Sequence, residues 1–486
     1  MNDHDSRHNK AAIKRWHNAY QRALITLHSN NGVVRIFESL VGSPPVPSDN
    51  SSSSAYQVYI ALLSDLQRMQ DFDSRYPLAV VAFGSARLTK EDRYYVLARD
   101  VGKGLADRGY LVRTGAGPGI MDAVPEGWKS VVVGGGSDGS CLKEKTQGIR
   151  IELPFEQAIS ASIDTKTMMS TFSIRRTALI WNSRAIAVFP GGMGTINELF
   201  EAWVGACDGK VVCPIAVVPN SFYKPLLDSI EHVAVEERKL IKASDFHLVL
   251  NAGENVDEAV QLLIQPMRYK DSGTQFTLRE KLIYLRHELG RGITAVSRLD
   301  PAVIVMGSDG DCLSESDREV QFLSDLTTSL LNKTSFGIRL GVAGMIHNVV
   351  TKTAQRHHNR IQRILMTEAM GFIEADAYFE SRSAHCETLL CNAKAAVFFP
   401  SDLPALNVLF ALVCEIQTRR RRRMHVFLVG REYWQPIFDG LAKTLKGEYD
   451  GQYIKHTDMN IMTVIGTTQH DLNMVMEAIN AHEEDS

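Results

Sequence analysis

At 486 residues, 44% hydrophobic and 22% charged, the chain is too long for one ordinary core and has the composition of a globular protein of roughly two to four domains. A formal charge of −3 removes any general electrostatic pull toward nucleic acid or an anionic membrane. Seven scattered cysteines without CxxC spacing argue against a disulfide framework or a zinc site. The opening MNDHDSRHNKAAIKRW lacks a signal-peptide core, and no apolar run reaches the length of about 18 residues needed to span a bilayer. A cytoplasmic location is expected.

Residues 1–75 read as an N-terminal helical segment. Leu24, Ile25, Leu27, Val33, Val34, Ile36 and Phe37 supply apolar positions, and the polar stretch GSPPVPSDNSSSS (42–54) reads as a linker before a second amphipathic helix at about 55–72. The first α/β unit opens at Leu78. LAVVAF is a buried strand, Gly84, Ser85, Ala86 and Arg87 form a turn at its carboxyl end, and 94–108 is a helix. YLVRTGAGPGIMDAV then supplies a second strand, a turn with Gly115, Gly117 and Gly119, and another helix start. Strand, glycine turn and helix recurring in this order predict a doubly wound parallel sheet whose ligand lies at the carboxyl ends of its strands. The GGGSDG stretch at 134–139 reads as a surface loop, 147–157 as a strand, and about 164–181 as a helix carrying Arg175 and Arg176.

The stretch AIAVFPGGMGTINELFEAW (185–203) combines a buried strand, a tight turn and a helix start. Gly191, Gly192, Gly194 and Thr195 occupy that turn. A glycine-rich strand-to-helix turn aims unpaired N–H groups and the positive helix end at one point, which suits a phosphate. Glu198 lies one turn into the helix, with Glu201 on the same side. An anion cradle therefore stands beside a carboxylate. Further strands are expected at 211–218 and 246–250, with helices at 222–235 and 256–263.

The second half repeats this order at a nearly constant offset. AVIVMGSDG (302–310) parallels AVVAFGSAR, RLGVAGMIHNVV (339–350) parallels RTGAGPGIMDAV, and AAVFFPSDLPALNVLFAL (395–412) parallels AIAVFPGGMGTINELFEA. The fold class is therefore α/β, with two Rossmann-like doubly wound parallel-sheet domains in tandem, at 76–270 and 271–486, preceded by N-terminal helices. In the second copy Asp402 falls on Gly192, Pro404 on Gly194, Ala405 on Thr195, Val408 on Glu198 and Ala411 on Glu201, while His385 and Cys386 fall on Arg175 and Arg176. The apolar frame is kept and the chemistry is removed. The run Arg419 to Arg423 reads as a solvated loop, the sharper alternative being a nucleic-acid or polyphosphate patch.

PGGMGTINE, preceded by SIRRTAL, FGSAR and TGAGPGIMDAV, resembles the Lonely Guy (LOG) family, also called "lysine decarboxylase-like", over roughly residues 78–265. The resemblance implies a phosphoribohydrolase that cuts the N-glycosidic bond of a nucleoside 5′-monophosphate, giving free base and ribose 5-phosphate. It implies that Arg175 and Glu198 are catalytic. Gly84, Ser85, Gly117, Gly119, Met121, Arg176, Gly191, Gly192, Gly194 and Thr195 are expected to contact substrate, with Arg87 and Glu201 as further candidates. The family's second basic residue is usually lysine, so Arg176 keeps the charge and changes the donor geometry.

No cofactor and no metal are expected, and no lysine stands in the setting that an amino-acid decarboxylase would need. The expected partner is a small-molecule nucleotide, not nucleic acid or membrane. Family members are commonly dimers, so the second copy is expected to form an internal pseudo-dimer within a homo-oligomer. The main rival reading is a non-catalytic nucleotide sensor of the same superfamily. A single-strand DNA-binding protein of related fold would need a basic groove with interleaved aromatics.

Overall fold

Ala79–Phe83 (β1) is buried along its whole length, as a central strand covered by helices on both faces must be. The computed structural model describes residues 65, 68, 69, 78–132, 146–152, 160–181, 183–265, 301–308, 318–354, 357–366, 375–379, 382–447 and 452–484. The expected N-terminal helix at 1–45, the linker at 42–54 and the loop at 134–139 lie outside the described residues.

After β1 come Arg93–Asp107 (α1), Leu111–Thr114 (β2), Ile120–Val132 (α2), Thr146–Ile151 (β3), Thr165–Met169 (β4), Phe172–Ile180 (α3), Ser183–Val188 (β5), Met193–Cys207 (α4), Ile215–Val217 (β6), Asn220–Ile230 (α5), Val249–Asn251 (β7) and Val256–Ile264 (α6). The seven strands are all parallel, in the order β4-β3-β2-β1-β5-β6-β7. The chain leaves β1 toward one edge, then returns to place β5 on β1's other side. This reversal opens a crevice at the carboxyl ends of β1 and β5.

The second half holds Ala302–Met306 (β8), Arg318–Lys333 (α7), Gly337–Leu340 (β9), Met345–Thr353 (α8), Ile361–Met366 (β10), Ala377–Phe379 (β11), Arg382–Leu390 (α9), Ala393–Phe398 (β12), Leu403–Gln417 (α10), His425–Val429 (β13), Arg431–Leu445 (α11), Met462–Ile465 (β14) and Gln469–Glu484 (α12). Its seven-stranded sheet has the same order, β11-β10-β9-β8-β12-β13-β14. The likeness reaches the buried polar groups. In the first sheet Arg113 donates through Nε to Gln147 and through Nη1 to the carbonyls of Leu179 and Trp181, closing the end of α3. In the second, Arg339 donates to Gln362 and to the carbonyls of Leu389 and Cys391 at the end of α9. Orphan carbonyls at a helix end need donors, and here a fully buried arginine from a central strand supplies them twice.

Residues 164–181 depart from the expected single helix. Thr165–Met169 forms an edge strand paired with β3 from Gln147↔Thr165 to Ile151↔Met169, and α3 begins only at Phe172. β-Branched Thr165 and Thr167 favour extended backbone, and a neighbouring strand supplies the pairing that a helical reading ignores. The helix expected at 222–235 likewise ends as α5 at Ile230, followed by a π-helical stretch, Glu231–Glu237.

Both sheets lie in one compact unit, Val58–Ser486. Equivalent helices meet across the seam: α3 packs on α9, α4 on α10 and α5 on α11. The equivalent rings Phe200 and Phe410 stand 4.7 Å apart. Arg382 makes a two-pronged bond to Asp208, at 3.0 and 3.1 Å, and Arg238 pairs with Glu319 at 3.3 Å. Among the described residues no helix is long and apolar enough to cross a membrane.

Candidate active site

The three glycine turns of the first half are stitched to one another. Ser85 N–H donates to the Pro190 carbonyl at 2.9 Å, and Ile120 N–H donates to the Ser85 carbonyl at 2.9 Å. Gly119, at φ +68°, occupies the left-handed region, and a β-carbon there would fall 2.3 Å from the Ser85 carbonyl oxygen. Gly84, Ser85, Gly117, Gly119, Gly191, Gly192, Gly194 and Thr195 thus gather at the carboxyl ends of β1, β2 and β5. Met121 joins them, its thioether lying over Gly115 and Gly117.

Helix α4 opens at this point. Its N-cap, Gly192, makes no side-chain cap, and the first intrahelical bond runs from Ile196 N–H to the Gly192 carbonyl. The N–H groups before it therefore have no intrahelical acceptor. Gly192 and Gly194 remain partly open to solvent, whereas Met193 and Thr195 are buried. One flank of the turn is closed by the second half, whose Tyr453 carbonyl lies so near Gly192 that a β-carbon there would fall 2.3 Å from it.

Arg175 and Glu198 meet within this frame. The Arg175 guanidinium donates through Nη1 to Glu198 Oε1 at 2.5 Å and through Nε to the Ile149 carbonyl at 3.3 Å, while Nη2 lies against Gly115. Both residues are 7% exposed. Burial pushes the Glu198 carboxyl up from its ordinary value, with Arg175 and then Arg176 pulling the other way. A desolvated carboxylate held by a guanidinium beside an uncapped helix start can meet positive charge developing on a ligand whose anionic end the helix binds.

Other candidates lie elsewhere. Arg87 is exposed, and its backbone N–H donates to Ser85 Oγ at 3.1 Å. Arg176 is 1% exposed and turns toward the second half, its Nε 3.6 Å from Glu201 Oε2. Glu201 also accepts from Asn407 Nδ2 at 3.2 Å. These two therefore join the seam. In the arginine run, Arg421 pairs with Glu415 at 2.9 Å and Arg420 donates to carbonyls of the first half, so these two serve protein contacts. A separate groove of about 630 Å³ lies between α5 and α11, lined by charges of both signs that include Asp228, Arg431, Glu432 and Lys443.

Sequence reasoning missed Asp65 and Tyr453, and it read Arg420 as part of a solvated run and not as a contact to the first half. Each meets the site's frame mainly through backbone atoms, and a contact to backbone leaves no residue-type signature at the receiving position.

Residues 134–263 match the model of a family described as "Possible lysine decarboxylase", the LOG family. The match lies wholly within the first half of the chain, which is similar to this family over those residues. A curated relative, cytokinin riboside 5′-monophosphate phosphoribohydrolase of Rhodococcoides fascians, is 26% identical over 162 residues, covering 33% of this chain and 77% of the relative. Among solved structures, the structural-genomics target TM1055 is 23% identical, with a TM-score of 0.26, over 38% of this chain and 96% of its own. The molybdenum cofactor carrier protein of Chlamydomonas reinhardtii is 20% identical, with the same TM-score of 0.26, over 39% of this chain and all of its own. The LOG match spans β3 to α6 and so contains both Arg175 and Glu198.

Proposed function

We propose that residues 76–270 form a nucleoside 5′-monophosphate phosphoribohydrolase and that residues 271–486 stand where a second subunit would, as an internal pseudo-dimer. The observation that carries this reading is the 2.5 Å Arg175–Glu198 pair, buried beside the uncapped start of α4 and the three stitched glycine turns. The LOG relationship adds the substrate class. Packing of each helix α3, α4 and α5 on its own counterpart supports the pseudo-dimer, because a two-fold interface brings like surfaces together.

In this mechanism the N–H groups at the start of α4 hold the 5′-phosphate, and the ribose extends toward Glu198. As the bond between C1′ and the base nitrogen breaks, its electron pair leaves with the base and positive charge grows on the sugar. The Glu198 carboxylate stabilises that charge and orients water for attack at C1′. Water delivers hydroxyl to C1′ and its remaining proton to the departing base. Arg175 holds Glu198 and lies within reach of the substrate's polar groups. Fixing the phosphate and the anomeric carbon together supplies roughly 7–11 kcal/mol in favourable cases.

Incubation with AMP, CMP, GMP and UMP separately should release free base from at least one. Binding of nucleotides with no base released from any would establish the sensor reading instead. The mechanism needs Glu198 ionised, and burial raises its carboxyl, so kcat should fall on the acid side with a limb above the ordinary carboxylate value of 4.5. The pH profile of the best substrate checks this.

A further inference from the structure

The connection from β4 into α3, residues Met168 to Thr171, is gripped from outside its own α/β unit. Asp65, fully buried, precedes the first strand in the chain and accepts from Ser170 N–H at 2.8 Å, Thr171 N–H at 2.6 Å and Thr171 Oγ1 at 2.8 Å. Beside it Arg68 donates to the Met168 carbonyl at 3.1 Å and to Ser170 Oγ at 3.3 Å. From the second half, Arg420 donates to the Glu152 carbonyl at 2.5 Å and to the Ser170 carbonyl, with its guanidinium 5.6 Å from the Phe172 ring centre.

Thr171 is the N-cap of α3, yet its hydroxyl makes no cap to its own helix and is instead donated to Asp65. Asp65 bonds the N–H groups just before the helix and not those of its first turn, and it places a buried carboxylate at the end where the helix dipole favours negative charge. One turn later the Thr171 carbonyl accepts the Arg175 N–H at 3.1 Å. The clamp and the guanidinium that holds Glu198 are therefore joined by a single helical turn.

We propose that Asp65 is a positioning residue for Arg175, with Arg420 of the second half as the opposing arm of the same clamp. Asp65 fixes the N–H side of the Ser170–Thr171 stretch and Arg420 fixes its carbonyl side. The placement of Arg175 thereby depends on the segment before the first strand and on the degenerate half together. This rests on the hydrolase reading for its kinetic arm. Its structural arm does not.

Asp65→Asn, Asp65→Ala, Arg420→Met and Arg420→Lys are compared in the full chain, with base release across pH and hydrogen exchange of residues 170–175 measured on each. Displacing a reacting group by about an ångström costs on the order of a hundredfold, so Asp65→Ala should lower kcat/KM by about that factor and Arg420→Met by about tenfold. Asp65→Asn and Arg420→Lys, which keep part of the bonding, should recover part of the loss. The acid limb should move up in the weakened variants, because a displaced Arg175 no longer opposes the burial of Glu198, and exchange at 170–175 should quicken. Wild-type exchange and a wild-type acid limb in both Asp65→Asn and Arg420→Met would overturn the proposal, as would activity lost with neither readout moved. If Asp65→Ala does not fold, the other three variants decide. If the wild-type chain releases no base at all, the hydrolase reading fails and the exchange measurement still judges the clamp.

Discussion

The two halves share a frame down to single hydrogen bonds and part company where a ligand would sit. Ser85 N–H bonds to the Pro190 carbonyl in one, and Ser308 N–H to the Pro400 carbonyl in the other. Arg175 Nε reaches the Ile149 carbonyl, and His385 Nε2 bonds to Ile364 at the matching point of β10. At the helix start the two diverge. Gly192 leaves α4 uncapped, whereas Asp402 turns its carboxylate onto the Ala405 N–H at 3.1 Å and so fills the anion position of α10 with its own side chain. Burial holds the His385 imidazole down to about 4, so it is neutral at pH 7 and does not replace the charge of Arg175. Val408 stands where Glu198 does. The lesson is that packing and chemistry are separable: core and turn geometry persist while Asp402 fills the helix start and His385 and Val408 replace the buried arginine–carboxylate pair.

Removing the carboxylate is the strongest test of that difference. Glu198→Ala should lower base release by about a thousandfold, while Val408→Ala in the matching helix should leave turnover at the wild-type level; parallel kinetics on the two variants check this. Next in size is the seam itself. Arg382→Met removes the two-pronged bond and leaves Asp208 with Lys210 at 3.4 Å, and should cost about 2 kcal/mol in denaturant unfolding at neutral pH. Although burial acts to raise the Asp208 carboxyl, Arg382 brings it below its ordinary 3.8, so the pair's contribution is complete above that value and fades as pH falls through the lower folded value. Wild type should accordingly lose stability over that acid window more steeply than Arg382→Met. The helix start of the second half gives the smallest effect on stability. Asp402→Ala should cost about 1 kcal/mol as a lost cap, whereas Gly192→Asp should raise KM sharply, since its carboxylate would occupy the phosphate position and its β-carbon would collide with Tyr453.

Much of the candidate site's placement was legible beforehand because its parts are local. A buried run followed by glycines and a helix start is visible within a few residues, and it located Gly191 to Thr195 and Glu198. The segment 164–181 was misread because helix and strand tendencies compete over short stretches, and pairing with β3 decided for the strand. Arg176 and Glu201 show the opposite limit. They stand beside Arg175 and one turn from Glu198 in the chain, yet they face Asn407 and the seam, since the face a helix turns to a second domain is set by that domain.

By itself the sequence determined the order of strands and helices in the first half apart from β4, the doubling of the fold and the loss of the acid in the second copy, because each is a periodic or local pattern of residue types. Only the tertiary structure decided that Asp65 grips residues 105 positions away, that Arg420 answers it from the other half, and that Tyr453 closes one flank of the glycine turn. Apart from the Thr171 hydroxyl on Asp65, such contacts are made to backbone atoms across long separations. Their partners carry the same N–H and C=O at every position, so nothing but the folded geometry selects them.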